Sequence, residues 1–233
     1  RSGRSLQSLV SYATTLCRLI SGVQLKAMPK KTKPKPIRVG REEASERLVQ
    51  AVISLLDTTP MNELLVDLIT EKAGLASGHV LVHRYFGSRL DLLSEVAHTL
   101  AGQMIDGLRA NVETLKNDLA DPIVFLTAYG PSIGVFQKRA LVVSELVLHG
   151  FSPEIHSADM KEILDAVQAM MELRELPPRA ARATALNVLT LITMETTHSG
   201  WMGATQADRD DLRSMTFIEI GLASQVSEML GWK

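Results

Sequence analysis

Residues 73–89, Ala-Gly-Leu-Ala-Ser-Gly-His-Val-Leu-Val-His-Arg-Tyr-Phe-Gly-Ser-Arg, decide the fold predicted for this chain. Gly74 can adopt the left-handed backbone conformation that reverses the chain after a short helix. The next segment, 77–86, mixes polar and apolar residues, as a short helix does when only one face packs on its domain. We expect Phe86 to close a small core, and Gly87-Ser88 to end this helix and cap the next one. The stretch therefore predicts the turn and second helix of a helix-turn-helix.

The composition favours helices. Of the 233 residues, 45% are apolar and only 4% are aromatic, which suits one large or two small α-helical domains better than a β-sandwich. Cys17 is the single cysteine, so the chain forms no internal disulfide and no cysteine-based metal cluster. No apolar run reaches the ~18 residues that suggest a membrane span. We expect a soluble, cytoplasmic protein that has no membrane partner.

The basic residues are concentrated at the N-terminus. Ten of the 25 basic residues and none of the 26 acidic residues lie in 1–41, which leaves 42–233 with 15 basic residues and a net charge of −11. A basic segment on an acidic chain either contacts a polyanion or is simply solvated. We interpret residues 1–28 as an extension dispensable for the fold, either native or added upstream of Met28. Residues 29–41, rich in Pro and Lys, are interpreted as a basic, flexible arm.

Apolar spacing predicts the helices that follow the arm. A first helix begins near Arg41, a second covers about 62–73 with Leu64, Leu65, Leu68 and Ile69 facing inward, and a third covers about 77–86. Ser88 caps a fourth, long helix, and roughly five more follow residue 110, with Pro131 expected to kink or split one of them. We predict an all-α protein with an N-terminal three-helix helix-turn-helix domain at 42–88. A larger helical domain occupies 89–233. Two stripes are predicted to be buried: Ala44, Leu48, Ala51, Val52 and Leu55 in the first helix, and Leu93, Val96, Ala97, Leu100, Ala101, Met104 and Leu108 in the fourth.

The segment Arg-Tyr-Phe-Gly-Ser-Arg at 84–89, closing such a motif, resembles the end of the DNA-binding domain of TetR-like bacterial regulators. The resemblance covers residues 41–105 by pattern and the remainder only by length and helical content. It implies a bacterial, cytoplasmic homodimer that binds a palindromic operator in double-stranded DNA, and so associates with the nucleoid. It also implies a repressor that releases the operator when a small molecule enters the larger domain.

Several positions depart from the family's pattern. Gly74 and Phe86 are about two residues further apart than usual, and His83 stands where a phosphate-contacting Tyr is common. Leu64 and Leu65 lie near the place of a capping Thr, and Thr70 replaces a small residue. These departures leave the predicted fold intact and indicate an operator preference of its own.

The start of a recognition helix contacts base edges, while flanking groups hold phosphates. We therefore expect Gly78 to allow close approach of the backbone, and Ser77 to cap the helix or donate to phosphate. His79 is expected to donate to guanine or phosphate, and Val80 to meet a thymine methyl. Val80 and Val82 cannot both face the groove, and Val82 is the one expected in the core. The residues predicted to contact phosphates, or a minor groove in the case of the arm, are Arg38, Arg41, His83, Tyr85 and Arg89.

The larger domain is expected to bind an effector and to dimerise. Met and aromatic side chains suit an adaptable cavity for a small, mostly apolar effector, although each is equally compatible with plain core. The candidates for its lining are Met104, Phe125, Tyr129, Phe136, Met170, Met171, Met194 and Trp201. The family resemblance places the dimer interface on helices 179–199 and 208–230. Its candidates are Ala183, Leu186, Thr190, Met215, Ile218, Leu222 and Val226.

Other chemistries have little support in the sequence. Gly-x-x-Ser-Gly at 74–78 lacks the spacing of a nucleophile elbow, and no glycine-rich loop follows a predicted strand. His79 and His83 are four residues apart and could bind a metal, but a position facing DNA suits them better. We predict no enzymatic activity, metal or cofactor. Two functions stay open: a ligand-responsive DNA-binding repressor, and a helical small-molecule-binding or scaffold dimer whose head no longer reads DNA.

Overall fold

The computed structural model describes residues 40–75, 78–115, 122–198, 205, 223 and 228–231. Within these residues the chain forms seven α-helices and two 3-10 turns and contains no strand, which confirms the all-α prediction. No helix among them is long and apolar enough to cross a membrane. The helices are α1 (Arg41–Leu55), α2 (Val66–Lys72), α3 (Gly78–Tyr85), α4 (Arg89–Leu115), α5 (Pro122–Leu148), α6 (Ser157–Glu172) and α7 (Pro178–His198), with 3-10 turns at Met61–Glu63 and Pro153–His156.

The first three helices form the predicted helix-turn-helix arrangement, in which α2 packs against both α1 and α3. Every residue of the stripe predicted for α1 is buried. Glu42 and Glu43 lie in the first turn of α1, where their charges complement the positive end of the helix dipole. The spacing of apolar residues in this part of the sequence is therefore sufficient to orient α1.

Gly74 makes the turn between α2 and α3, as predicted. It has a φ of 68°, its N–H donates to the carbonyl of Glu71, and the N–H of Leu75 donates to the carbonyl of Thr70. These two hydrogen bonds form a Schellman motif, which needs a residue in the left-handed region at this position. The side chain of Thr70 is buried, and its hydroxyl donates to the Asp67 carbonyl. The larger residue at position 70 is thus accommodated within α2.

The start of α2 differs from the prediction. The chain makes a 3-10 turn at Met61–Glu63, and α2 begins only at Val66. Leu64 is fully buried as expected, but Leu65 is 64% exposed, so its predicted inward orientation is wrong. Leu65 is the extended N-cap residue of α2 and offers no side-chain acceptor to the first N–H groups of the helix. Leu64 and Leu65 lie in non-helical backbone, where neighbouring side chains point to opposite sides.

The junction between α3 and α4 follows the prediction. Gly87 has a φ of 95° and its N–H donates to the carbonyl of His83, which closes the end of α3. The Ser88 hydroxyl then accepts a hydrogen bond of 3.1 Å from the N–H of Asp91 and donates to the Asp91 carboxylate, so it caps α4. All seven residues of the stripe predicted for α4 are buried.

The described residues divide into two compact units. The head unit comprises 40–104 and 134–160, and the body unit comprises 105–133 and 161–198 with the isolated residues beyond. The predicted boundary after residue 88 therefore falls inside the head unit. The core of this unit draws on α4 and α5 as well as on the helix-turn-helix. It consists of Leu48, Val49, Ala51, Val52, Leu55, Leu64, Ile69, Val82, Leu92, Leu93, Val96, Ala97, Leu100, Val142 and Leu146, with Phe86 packed against it.

Helix α5 continues through Pro131 and is not split there. A proline inside a helix removes one backbone hydrogen bond and costs about 3 kcal/mol. The segment nonetheless stays helical from Pro122 to Leu148, and Tyr129, Phe136, Val142 and Leu146 along it are buried. Burial of these side chains offsets the local cost of the proline.

A polar cluster of two buried and two more accessible side chains lies in the head unit, where α4, α5 and the start of α6 meet. The Asp159 carboxylate of α6 is 3.0 Å from His98 Nδ1, 3.7 Å from His156 Nδ1 and 3.8 Å from Arg139 Nη2. Arg139 and His156 are both buried. Burial lowers the pKa of His156 below its ordinary value, and the neighbouring Arg139 cation lowers this pKa further. His156 is therefore held towards its neutral form in the folded protein.

Candidate functional site

Helix α3 presents one exposed face. His79, Val80, His83 and Arg84 are exposed, whereas Val82 is only 2% exposed and belongs to the core of the head unit. His83 and Arg84 follow His79 and Val80 by four residues, about one helical turn, so the four side chains share one side of α3. Val80 is 65% exposed, which confirms that Val82, and not Val80, is the buried valine. An apolar side chain held in water beside two imidazoles and a guanidinium is suited to contacting base edges and phosphates in a groove.

His79 is paired with an acidic residue of the preceding helix. Its Nε2 lies 3.1 Å from the Asp67 carboxylate at the start of α2, and both side chains are exposed. In the neutral imidazole, a proton on Nε2 that is donated to Asp67 leaves Nδ1 as a hydrogen-bond acceptor. In the protonated imidazole, Nδ1 is a donor. The contact with Asp67 thus orients the ring and links the chemistry that it offers to its protonation state.

Arg41 and Tyr85 lie together at the other end of α3. The guanidinium carbon of Arg41, the first residue of α1, is 6.0 Å from the centre of the Tyr85 ring, at the limit of a cation–π contact. Tyr85 is half-buried and packs against the core of the head unit. The exposed Arg41 is thereby placed beside the C-terminal end of α3. Tyr85 supports it and also contributes to the core.

Arg89, predicted as a phosphate contact, makes three hydrogen bonds within the head. Its side chain is only 26% exposed, and the guanidinium donates to the carbonyls of Leu64 (3.1 Å) and Met61 (3.2 Å) and to the Glu145 carboxylate (3.1 Å). Three of its five N–H donors are occupied within the protein. The charge is also neutralised by a carboxylate, so Arg89 is built into the head instead of being presented to a polyanion.

Arg84 is a residue that the sequence interpretation missed. It is exposed on α3, four residues after Val80, and carries a full positive charge on the face that includes His79 and His83. The helical period alone would have placed it there. Of the other predicted DNA contacts, Gly78 is the first residue of α3, whereas Arg38 and Ser77 lie outside the described residues.

Metal binding at the histidines of α3 gains no support. Among the described residues there is no group of three or more His, Cys, Asp or Glu side chains that could hold a metal ion. His79 and His83 are on one face, and the nearby carboxylate of Asp67 is paired with His79. The two histidines belong to the exposed face of α3.

The predicted effector-lining residues fall into three groups. Met104, Tyr129, Phe136, Met170 and Met171 are buried, which suits a pocket and a plain core equally well. Burial raises the pKa of the Tyr129 phenol, so this side chain stays protonated. Met194 is 48% exposed on α7 and is not buried with the others. The remaining two, Phe125 and Trp201, lie outside the residues whose side chains are described.

The predicted dimer residues on α7 share a solvent-exposed face. Ala183, Leu186 and Thr190 are all exposed, and Met194 extends this row by one more turn. The opposite side of α7 is buried through Ala181, Ala185, Val188, Leu189 and Ile192. The exposed position of Met194 is explained by its register with Leu186 and Thr190. The four candidates on the second predicted helix, Met215, Ile218, Leu222 and Val226, lie outside the described residues.

No protein-family profile and no curated protein matches this chain. Among solved structures, a protein from Mesorhizobium loti MAFF303099, provisionally assigned to the TetR family of transcriptional regulators, is similar to it. The two superpose with a TM-score of 0.55 over 81% of this chain and 98% of the other, at 13% sequence identity. Similarity at this level of identity concerns the fold. With the helix-turn-helix at residues 41–85 and the helices that follow it, it shows that this chain has the all-α fold of TetR-like regulators.

Proposed function

We propose that this protein is a sequence-specific DNA-binding transcriptional regulator that acts as a homodimer. The observation that carries the proposal is the exposed face of α3. Its side chains His79, Val80, His83 and Arg84 are exposed to solvent, while Val82 on the other side of the helix belongs to the core. A helix of this length fits the major groove, where side chains distinguish all four base pairs. The TetR-like fold supports the same function.

The residues of the face take different roles in this proposal. His79 and Val80, near the start of α3, read base edges, Gly78 allows close approach of the backbone, and Ser77 donates to phosphate. The contact with Asp67 orients the His79 ring, which hydrogen-bonds to guanine or to a phosphate in this proposal. Arg84, His83 and Arg41 bind phosphates, and Tyr85 holds Arg41 in place.

The basic arm adds contacts that are independent of sequence. Residues 29–41 include Arg38 and end at the exposed Arg41, which lies beside the C-terminal end of α3. The arm is therefore attached next to the proposed DNA surface, where it can follow phosphates or enter a minor groove. Removing residues 29–40 is expected to weaken binding to all DNA and to lower the salt slope by about 0.9 for each phosphate that the shortened chain no longer neutralises. Unchanged affinity and slope would contradict this role.

The exposed face of α7 supports dimerisation. A row formed by Ala183, Leu186, Thr190 and Met194 leaves apolar and small side chains in water on a helix whose other side is buried. A second copy of the same face, together with residues 208–230, would cover this row across a two-fold axis. Leu186→Glu is expected to shift the protein to monomers in light-scattering measurements, because it buries a charge at the interface. The exposed Asn187→Glu, one residue away, serves as a comparison for added charge on the same helix.

A small, mostly apolar effector that releases the operator completes the proposed mechanism. The buried Met and aromatic side chains of the predicted lining are compatible with such a ligand. Release then requires the ligand to bind one conformation of the protein more tightly than the DNA-bound one. The proposed place of action is the bacterial cytoplasm, on DNA.

One observation favours the alternative function, a helical small-molecule-binding or scaffold dimer. Asp67 carries an exposed carboxylate beside His79, and Glu63 and Glu71 are also exposed near α2. Acidic side chains near a DNA surface oppose phosphate binding.

Selection of bound sequences from a random DNA pool separates the two functions. A palindromic motif would support the dimeric regulator, and a folded dimer that enriches no motif would support the alternative. As a second step, His79→Ala should change the preferred bases, whereas Arg84→Ala should weaken all sequences alike. Equal, sequence-independent losses in both variants would remove His79 as a reader of bases.

A further inference from the structure

Helix α5 is joined to the helix-turn-helix by two ion pairs on one of its faces. Lys138 Nζ is 2.8 Å from the carboxylate of Asp57, just after α1, and the Glu145 carboxylate is 3.1 Å from Arg89 at the start of α4. Lys138 and Glu145 are seven residues apart, close to two helical turns, so they lie on the same side of α5. Val142 and Leu146, which follow this face, belong to the core of the head unit. The second half of α5 is therefore a structural part of the head.

Arg89 contacts both α5 and the segment that precedes the helices proposed to bind DNA. Its Nη1 donates to Glu145, while Nε and Nη2 donate to the carbonyls of Leu64 and Met61 in the segment before α2. That segment sets where α2 begins, and α2 packs against α3. The guanidinium thus bridges α5 to the entry of the helix-turn-helix.

Because Arg89 and Glu145 are largely buried, the loss of one partner should displace the other. Glu145 is only 16% exposed, and Nε2 of His149, the residue that follows the end of α5, is 3.4 Å from the same carboxylate oxygen. A half-buried guanidinium that loses its carboxylate keeps its charge in a poorly solvated place and must move towards water. Movement of Arg89 would release the carbonyls of Leu64 and Met61 at the same time.

We propose that Arg89 and Glu145 form a latch that holds α2 and α3 in the geometry that binds DNA, with Arg89 a positioning residue that does not contact phosphate. The proposal rests on the proposed function as a DNA-binding regulator. Glu145 lies in the second half of α5, which belongs to the head unit together with Arg89.

Glu145→Gln tests the latch, because electrostatics and the latch predict opposite results. Removing a negative charge from a DNA-binding protein should by itself strengthen DNA binding. The latch predicts weaker binding by about fivefold or more, in the range of coupling between sites. The matched control is Glu154→Gln, which removes an exposed carboxylate from the same unit and should leave affinity unchanged or slightly raised. Binding as tight as or tighter than wild type in Glu145→Gln would overturn the proposal.

The salt dependence of binding separates positioning from phosphate contact. Arg89→Lys keeps the charge but cannot reach three acceptors in a fixed fork, and Arg89→Gln removes the charge. For a positioning residue, both variants weaken binding without changing the slope of log K against log salt. A slope lowered by about 0.9 in Arg89→Gln would show a phosphate contact and refute the latch.

Hydrogen exchange tests the latch without DNA. Amides of residues 61–75 and 78–85 should exchange faster in Glu145→Gln than in wild type, and at the wild-type rate in Glu154→Gln. Equal exchange in both variants would refute the latch even if DNA affinity fell. If wild type enriches no DNA motif, the proposed function fails, while the exchange experiment still reports on the latch. Asp57→Asn, at the more exposed ion pair, provides a milder second variant and should show a smaller change in the same direction.

Discussion

Leu64 and Leu65 are adjacent leucines for which the structure predicts opposite responses to truncation. Leu64 has no exposed surface and lies in the core of the head unit, whereas Leu65 is 64% exposed at the N-cap of α2. Replacing a fully buried leucine by alanine costs about 2–5 kcal/mol through the transfer free energy of the removed atoms and the cavity that remains. A leucine with about one-third of its surface buried loses only about 0.5–1 kcal/mol of its burial energy.

The pair is its own control, because both substitutions remove the same atoms from consecutive residues in non-helical backbone. Leu64→Ala also leaves untouched the Leu64 carbonyl that accepts from Arg89. Urea unfolding of both variants and wild type should give a free energy of unfolding for Leu64→Ala that is lower than for Leu65→Ala by about 1–4.5 kcal/mol. Equal losses, or a larger loss for Leu65→Ala, would refute the assigned burial and show that Leu65 is covered by protein.

Three more predictions concern local geometry and pH. Leu65→Ser should have a free energy of unfolding about 1 kcal/mol higher than Leu65→Ala in urea unfolding, because both lose the leucine side chain and only serine supplies the cap that α2 lacks. Gly87→Ala should lower the melting temperature, since Gly87 has a φ of 95° and the added Cβ would lie 3.1 Å from the Asp91 carboxylate. Holding alanine in the left-handed conformation alone costs about 1–2 kcal/mol of folding free energy. Finally, the pKa of His156 is lowered in the folded state, so the unfolded chain binds its proton first as the pH falls. The free energy of unfolding should therefore decrease below about pH 6.5, by at most about 1.4 kcal/mol per pH unit. His156→Gln should flatten this dependence on pH. Equal slopes in wild type and His156→Gln would contradict the assignment.

Much of the head could be predicted from the sequence because its signals are local. The left-handed glycines at 74 and 87 and the Ser88 cap depend on backbone geometry within a few residues. The stripes of α1 and α4 depend on a single helical period. The same period separated Val82 from Val80, and it would have found Arg84 had it been applied to the whole of α3.

Helix ends and long-range partners could not be predicted in this way. The start of α2 was placed too early because Leu64 and Leu65 fit an apolar helical pattern, although the chain makes a 3-10 turn before Val66. Met194 was assigned to a pocket by residue type, whereas its register on α7 places it with Leu186 and Thr190. Residue type indicates what a side chain can do, but not which neighbour it meets.

Local patterns in the chain are enough to predict that it is α-helical, where the turn of the helix-turn-helix lies and which faces of α1, α3 and α4 are buried, because these properties arise from contacts a few residues apart. The contacts of Arg89 depend on the folded arrangement, because its partner Glu145 is 56 residues away. The same holds for α5, whose Val142 and Leu146 complete the core of the head. A guanidinium can pair with a phosphate or with a carboxylate, and the packing of α5 in the head places the Glu145 carboxylate beside Arg89.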